Sequence, residues 1–540
     1  MRPGTRRWLL MGTGVVLLAA ASTRVPPINE QRVRDGLVAA ALPESAQPGM
    51  MVGPLLAVGR APLVDYLWMR ATKLKDEGRV FDAYQLAETI CKLQPNFASV
   101  WAFNAWNMAY NISVTFRTAE DRWRWIRNGY ELLRDHGIPR NPRNTNLYRE
   151  LAWIFYHKIG DFIDEKHYYY KNQFALLMED ILGPGAEHDY EGLAAAPPRW
   201  DDLAADPAVA DFVRRLGEHG VEPGRPGAFL GLLSREDRPP ELNALLADPA
   251  AADVRRRIEL FWRARRLREE MKLDPARIVE LRRAFGPMDF RLAEAHALYW
   301  ANLGTEIGTD KRTALDIDRL NADRIELYCL QNLFRRGRLV LSPSARLGEP
   351  PMLMPDVRFA DVLRRAFLAV SKDYPRQERE GPVHTNFATA MTNFMREAIL
   401  RFNEVGDLRK SREYFDWLAE HYPSDATTHG YEEFLKLQWK ADNEFVQYRS
   451  AMNRIVTLIA TAARLIGYGD YEQGATYIAY ARRLHGQYNK EQVADRNRLP
   501  AFSKLYEQIV HEVGTGMRPE TYERVLERTG FQRPTTRPAG

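Results

Sequence analysis

Cysteine is scarce in this chain, with only Cys91 and Cys329 among 540 residues. Small exported domains that depend on disulfides contain far more cysteine, so this fold has to be held together by its apolar core. Both cysteines lie in apolar stretches with helical spacing. We therefore predict two buried thiols instead of a bridge between them.

Motifs for catalysis and for cofactor binding are also absent. The chain has no glycine-rich phosphate loop, no zinc-ligand spacing, no nucleophile elbow and no HExxH string. Asp289, Glu294 and His296 form the best cluster of titratable groups, but Glu294 and His296 are two positions apart and so point to different faces of a helix. We predict a structural histidine there, with no cofactor and no metal, and the sequence as a whole argues against an enzyme.

The sequence contains no long run of residues that carry the same charge. The net charge of +5 is small for this length, and acidic and basic residues alternate along the helices, which excludes a nucleic-acid surface. The densest group of arginines runs from Arg255 to Arg268. It is either a face for an anionic partner or lipid head groups, or a solvated face paired with Glu259, Glu269 and Glu270, and we favour the paired face.

Long hydrophobic runs are missing apart from one at the N-terminus. Arg2, Arg6 and Arg7 precede an apolar run from Trp8 to Ala21, which is shorter than the roughly 20 residues of a membrane-spanning helix. This pattern predicts a cleaved export signal over 1–26, or, if the run extends to the end of that range, a single membrane anchor. Both alternatives place the rest of the chain in the cell envelope, on the periplasmic side.

What the chain does contain is one spacing that occurs three times. The positions are counted from a glycine. Apolar residues lie four, seven and eleven positions before it. A small residue lies five positions after it, apolar residues lie nine and twelve positions after it, and a helix breaker lies seventeen positions after it. The glycines are Gly78, Gly406 and Gly469, the small residues are Ala83, Ser411 and Gly474, and the breakers are Pro95, Pro423 and Gly486.

This spacing predicts pairs of antiparallel helices. Apolar residues three and four apart lie on one face of a helix, and glycine at positive φ lets the chain reverse direction. The small residue lets the second helix cross the first closely. The breaker ends the second helix, because the residue before a proline is driven away from helical geometry.

The pattern resembles the tetratricopeptide repeat, a helix-turn-helix unit of 34 residues. Tetratricopeptide folds bind other proteins in a concave groove lined by the first helices, and this chain is rich in aromatic residues over 101–170. The resemblance implies that the groove is lined by Trp68, Lys75, Trp106, Tyr110, Tyr148 and Tyr156. The segment from Leu93 to Asn111 is also similar to exported repeat proteins of planctomycete-type bacteria, a likeness that implies no activity.

We therefore expect an all-α protein, a tetratricopeptide-like α-solenoid of stacked antiparallel helix pairs with one extended, irregular segment at 339–355. Its expected parts are an export signal or anchor (1–26), a linker (27–54), N-terminal hairpins (55–183), a Pro/Gly/Ala-rich and partly helical insertion (184–250), a central helical region (251–380), C-terminal hairpins (381–530) and a disordered tail (531–540).

The expected function is that of an envelope scaffold whose partner is a protein or a membrane complex. The alternative is a glycan-binding protein or a cell-wall hydrolase built on a helical superhelix. A hydrolase requires a carboxylate with a raised pKa in an apolar pocket, whereas a binding platform requires none.

Overall fold

The computed structural model describes residues 12–13, 20, 23–34, 53–185, 187–235, 237–307, 317–373, 383–441, 448–491 and 498–533. The protein is 77% helical with almost no strands, which confirms the predicted all-α class. Most of the expected export segment, most of the linker and the tail from 534 onward lie outside the described residues. No helix within the described residues is both long enough and apolar enough to cross a membrane.

The N-terminal part is helical, and from residue 53 to 182 turns and short non-α segments join its helices. Its α-helices are Val25–Arg34, Gly53–Asp76, Val80–Leu93, Ala98–Trp106, Ala119–Glu131, Ile138–Arg140, Thr145–Trp153 and His167–Leu182. Thr118 caps one of them, because its side chain accepts a hydrogen bond from the amide of Asp121, as its place before an acidic third residue predicts.

π-Helical geometry interrupts this part of the chain repeatedly. It occurs at Asn107–Ile112, Leu132–Gly137 and Ile154–Gly160, and each segment directly continues an α-helix. π-Helical turns are rare and are often found at functional sites. Each one adds a residue to the helical period, which rotates the side chains beyond it by about 100° relative to the α-helical spacing.

The three glycines of the repeated spacing lie in helix-helix turns. Gly78, Gly406 and Gly469 have φ of 73°, 86° and 94°, and the helices before and after each glycine pack against each other. The small residues mark the close crossings. A Cβ on Gly474 would lie 2.5 Å from Ile466 Cγ1, and Ser411 Oγ donates to the carbonyl of Ile399 across its hairpin. The predicted turns and crossings are confirmed.

The predicted end of the third hairpin at Gly486 is wrong. The helix Tyr471–Glu491 continues through this glycine, and a Cβ built there would meet nothing within 4 Å. Glycine lowers helix stability by about 1 kcal/mol but keeps its backbone N–H. It therefore does not stop a helix as the prolines of the other two hairpins do.

The insertion folds into short helices around its own apolar cluster. They are Tyr190–Ala195, Trp200–Ala204, Pro207–Glu218, Ala228–Ser234, Pro240–Ala247 and the 3₁₀ turn Pro249–Ala251. Phe212 and Phe229 pack there against Phe261 of the long helix Ala252–Glu270. That helix carries the arginine-rich stretch, and five of its arginines, Arg256, Arg257, Arg263, Arg265 and Arg266, form ion pairs.

The pairing follows the i,i+4 pattern that we favoured. Arg265 and Arg266 lie 2.8 and 2.7 Å from Glu269 and Glu270. Arg263 departs from the prediction of a solvated face. It is buried, lies 2.8 Å from Glu259, and donates to the carbonyl of Ile181 at the end of a neighbouring helix.

Where the structure describes them, the central and C-terminal parts are helical with one strand pair. The elements that follow are Pro275–Phe285, Ala293–Ile307, Ile317–Arg336, the strands Arg338–Val340 and Met352–Met354, the 3₁₀ turns Ala345–Leu347 and Val357–Phe359, and the helices Ala360–Asp373, Val383–Glu404, Leu408–His421, Asp425–Thr428, Tyr431–Ala441, Tyr448–Gly467, Tyr471–Glu491, Phe502–Gly514 and Pro519–Thr529. The strands pair antiparallel, with Leu339 opposite Leu353, so the irregular segment contains a small hairpin.

A continuous apolar core connects the N-terminal hairpins with the central helices. It runs from Val64 to Phe434. The helix Ala293–Ile307 packs against both Thr145–Trp153 and Ile317–Arg336. Cys91 and Cys329 are both free and fully buried in this core, as predicted.

Candidate functional site

An open cavity between the N-terminal part and the helix Ile317–Arg336 is lined by four aromatic side chains among nine residues. It encloses about 570 Å³ and is lined by Ala102, Phe103, Trp106, Arg149, Glu150, Trp153, Arg324, Ile325 and Tyr328. We call it the aromatic groove. Phe103 and Trp106 are 47% and 39% exposed, so large apolar surfaces face solvent there. Exposed apolar patches of this kind mark binding sites.

Three helices that are far apart in sequence build the aromatic groove. Ala98–Trp106 contributes Phe103 and Trp106, Thr145–Trp153 contributes Trp153, and Ile317–Arg336 contributes Tyr328. Two of these helices continue directly into π-helical segments.

A second layer of rings supports those that line the groove. Trp106 stacks on Tyr110 with ring centroids 5.7 Å apart, and Trp153 stacks on His157 at 4.5 Å. The Tyr110 hydroxyl and His157 Nδ1 are 3.3 Å apart and join the two pairs. Rings held in this way are rigid, so they lose little conformational entropy when a partner binds.

The ionisable groups in this layer are kept neutral. Burial raises the pKa of Tyr110 well above its ordinary value, and burial lowers the pKa of His157, with the nearby Lys158 acting in the same direction. At neutral pH the supporting layer therefore presents an uncharged phenol and an uncharged imidazole beneath the apolar surface.

Three charged residues, Arg149, Glu150 and Arg324, also line the groove. Arg149 lies 2.6 Å from Glu150 and 2.5 Å from Asn146 Oδ1, so the carboxylate that lines the groove is paired. Arg324 is exposed and makes no ion pair with any residue that the structure describes. A ligand that carries an acidic group next to an apolar group would therefore complement the groove.

Four of the six residues that the sequence assigned to the groove lie in or beside it. Trp106 lines the cavity, and Trp68 packs edge-on against Phe103 at 5.0 Å. Tyr110 and Tyr156 belong to the supporting layer, in contact with Trp106 and Trp153, and both lie in π-helical segments. Lys75 lies on the helix Gly53–Asp76, and its side chain falls outside the described part of the structure.

Tyr148 does not face the groove, which corrects the prediction. It is 3% exposed, its hydroxyl donates to the carbonyl of Pro142, and its Cβ lies so close to Gly304 that no side chain would fit there. The physical reason is the helix Ala293–Ile307, which covers the face of Thr145–Trp153 that the repeat pattern assigns to the groove.

The acidic cluster near His296 does not line the aromatic groove. Glu294 is 4% exposed, and burial raises its pKa although Arg336 and Lys171 act in the opposite direction. His296 Nε2 is 2.9 Å from the carbonyl oxygen of Phe290, and burial lowers the pKa of this histidine to about 3. His296 is therefore the structural histidine that we predicted.

Asp289 lines a different cavity and is held by a guanidinium. Arg291 donates to both of its carboxylate oxygens and also to Glu179, at 2.7 Å. A carboxylate engaged in this way is poorly suited to act as a general acid. Within the described residues there is also no cluster of histidine, cysteine and carboxylate groups that fits a metal ion.

The sequence pattern missed Tyr328, Ile325 and Arg324, which complete the groove. These residues lie more than 150 positions from Trp153, on a helix whose apolar spacing shows that it is buried but not which helix it contacts. Phe103 and Trp153 lie in the aromatic-rich stretch 101–170. The high aromatic content of that stretch was the sequence signal that pointed to them.

Comparisons with known proteins show no relative. No protein-family model, no curated protein and no solved structure matches the chain. The tetratricopeptide resemblance and the likeness to planctomycete-type exported proteins therefore stay predictions.

Proposed function

We propose that this protein is a helical binding platform of the bacterial cell envelope, exported or anchored through its N-terminal segment, and that its aromatic groove holds an extended segment of a partner protein. The carrying observation is the groove itself, in which four aromatic side chains surround about 570 Å³ and a supporting layer holds them. Aromatic-lined grooves are a common way to bind extended peptides, and Trp and Tyr dominate binding energy at interfaces.

The proposed architecture is a tetratricopeptide-like solenoid. Its support is the order of helix contacts, since successive helices touch their neighbours in a series. The series is Gly53–Asp76, Val80–Leu93, Ala98–Trp106, Thr145–Trp153, Ala293–Ile307, Ile317–Arg336, Ala360–Asp373, Val383–Glu404 and Leu408–His421. The helix Ala293–Ile307 joins the series from beyond the insertion, so the stack is not continuous in sequence.

The chemistry of the groove favours a particular kind of segment. Phe103, Trp106 and Tyr328 offer ring faces for proline, leucine or aromatic side chains, and Arg324 stands at the rim. We infer an extended segment with an apolar anchor followed by an acidic residue. Burying one such anchor contributes about 1.5–3 kcal/mol, so two or three anchors contribute about 3–9 kcal/mol before the cost of association, and the acidic residue at Arg324 has to add to them.

A glycan is the second candidate occupant. The exposed flat face of Trp106, stacked on Tyr110, is the observation that favours it. Hydrolysis has less support, because the buried Glu294 does not line the groove and Glu150 is paired with Arg149. Among its described lining residues, the groove therefore lacks the unpaired carboxylate that a cell-wall hydrolase requires.

Site-specific photo-crosslinking tests the proposal. A photoreactive phenylalanine replaces Trp106 in the full chain, and a matched control replaces Phe81, which is 64% exposed and does not line the groove. We expect one protein to crosslink at position 106 and not at position 81. A peptide from the crosslinked segment should then quench the tryptophan fluorescence of the wild type, with at least tenfold weaker binding to Trp106→Ala.

The same fluorescence titration with peptidoglycan fragments tests the second candidate, a glycan. Saturable binding of glycan, together with no crosslinked protein at position 106, would overturn the proposal in favour of the second candidate. Equal crosslinking at positions 106 and 81 would also overturn it, because the groove would then not be the binding surface.

A further inference from the structure

A second cavity, far from the aromatic groove in sequence, is lined by three arginines. It encloses about 340 Å³ and lies where the start of the insertion, the helix Pro275–Phe285, the strand Arg338–Val340 and the turn after Gly469 meet. Its lining consists of Glu187, His188, Tyr190, Arg282, Pro287, Asp289, Gly337, Arg338, Leu339, Arg358 and Asp470. We call it the arginine pocket. Its volume equals that of roughly eleven waters at about 30 Å³ each, which is the size of a small metabolite.

Two of the arginines are held rigidly by carboxylates. Arg338 donates from Nε and Nη2 to the two oxygens of Asp470, both at 2.8 Å. Arg358 donates in the same way to Asp356, at 2.8 and 2.6 Å. A bidentate pair uses one edge of the guanidinium and orients the plane, so the Nη1 edge keeps its donors for another acceptor.

The third arginine has no carboxylate partner. Arg282 makes no ion pair within the described residues; it contacts the carbonyl of Met288 and lies 4.3 Å over the ring of Tyr190. Burial lowers its pKa and the charge of Arg358 acts in the same direction, whereas Tyr190 and Asp289 raise it. Arg282 is half-buried and close enough to Arg358 for the two charges to repel, so an anion between them would stabilise both.

The other wall of the arginine pocket offers neutral and acidic polar groups. His188 lines this wall, and burial lowers the pKa of this histidine to about 4, so its ring is neutral at pH 7. Glu187 is exposed at the rim and makes no ion pair within the described residues. These groups suit hydroxyl or amino groups on the far end of a ligand.

We propose that the arginine pocket binds a small polar molecule that carries an oxyanion, either a phosphate or a carboxylate. The oxyanion lies between Arg282 and Arg358. The oxyanion accepts hydrogen bonds from Arg282 and from the edge of Arg358 that Asp356 leaves free, and Arg338, which Asp470 holds, lines the same pocket. The rest of the molecule meets His188 and Glu187. Because the elements around the pocket come from distant parts of the sequence, a bound ligand also joins the insertion to the C-terminal hairpins.

Calorimetric titration of the full chain tests this inference. The ligands are inorganic phosphate, glycerol 3-phosphate and succinate, each at constant ionic strength adjusted with sodium chloride, so that screening is the same throughout. We expect saturable binding of at least one of them with a dissociation constant below about 1 mM. Tighter binding of the phosphates or of succinate shows which oxyanion the pocket selects.

Variants at neighbouring positions separate the pocket from general charge effects. Arg282→Met should weaken binding at least tenfold, whereas Arg283→Met should not change it, because Arg283 is exposed, pairs with Glu191 and does not line the pocket. Arg282→Lys keeps the charge and should give an intermediate loss even if Arg282→Met fails to fold. Absence of saturable binding by all three ligands, or equal binding by the wild type and Arg282→Lys, would overturn the proposal.

Discussion

Gly160 and Glu294 are in contact across the protein interior, because a methyl group added to Gly160 would lie 3.0 Å from Glu294 Cδ. Gly160 ends a π-helical segment, and Glu294 lies in the first turn of the helix Ala293–Ile307. Arg336 Nε stands 3.5 Å from Glu294 Oε1, and neither atom has a hydrogen-bond partner within the described structure. The absence of a side chain at position 160 is what lets the buried carboxylate approach the N-terminal helices.

Gly160→Ala should therefore destabilise the protein by about 1–3 kcal/mol, because overpacking forces the buried side chains to move. Gly486→Ala is the control, since it adds a methyl group in open space inside a helix and should stabilise by about 0.5–1 kcal/mol. Guanidinium denaturation followed by circular dichroism measures both. Equal stability of Gly160→Ala and the wild type would contradict the contact.

His296 should make stability depend on pH between about 3 and 6.5. Its folded pKa of about 3 lies below the ordinary value of 6.5, so the unfolded chain binds the proton first and stability falls as pH decreases through this window. The loss from pH 6.5 to pH 5 is about 2 kcal/mol for this one group. His296→Gln should flatten the stability curve over that range, and an unchanged slope in this variant would refute the assignment.

Tyr148 and Trp106 should behave in opposite ways when truncated. Tyr148→Ala removes a buried ring and a hydrogen bond to Pro142, and we expect a loss of about 3–5 kcal/mol in unfolding free energy. Trp106→Ala, with its ring partly exposed, should cost about 1 kcal/mol or less but should weaken binding in the groove. Thermal denaturation and the peptide titration together separate the two roles, and a stable Tyr148→Ala with impaired binding would restore the prediction from sequence.

Ser411 should be sensitive to loss of its hydroxyl. Its Oγ donates to the carbonyl of Ile399 at 2.7 Å and accepts from the Tyr431 hydroxyl at 2.9 Å, in a fully buried crossing. Ser411→Ala removes the side-chain bond to the Ile399 carbonyl and leaves the Tyr431 hydroxyl without this acceptor, which should cost about 1–3 kcal/mol, and Ser411→Leu should cost more because it separates the helices. Ser503→Ala, on an exposed face, should stay within about 0.5 kcal/mol of the wild type in the same measurement.

Local spacing predicted much of the helical framework correctly. Gly406 and Gly469 lie at helix-helix turns because only a residue without a side chain takes positive φ at little cost, and that requirement is visible in the sequence. The N-cap at Thr118 and the extended character of the segment at 339–355 follow from similar local signals. Gly486 was misjudged, because glycine weakens a helix without removing a hydrogen bond.

The sequence by itself determined the all-α class, the three hairpin turns, the buried cysteines and the aromatic stretch from which the groove is built, since each depends on residues close together in the chain. Only the tertiary structure decided that the helix Ala293–Ile307 covers Tyr148, that Tyr328 and Arg324 complete the groove, and that Arg282, Arg338 and Arg358 share one pocket. Hydrophobic periodicity shows which face of a helix is buried but carries no information about the partner that buries it. The π-helical turns add to this, because they rotate Tyr110 and Tyr156 away from the positions that a regular helix would give them.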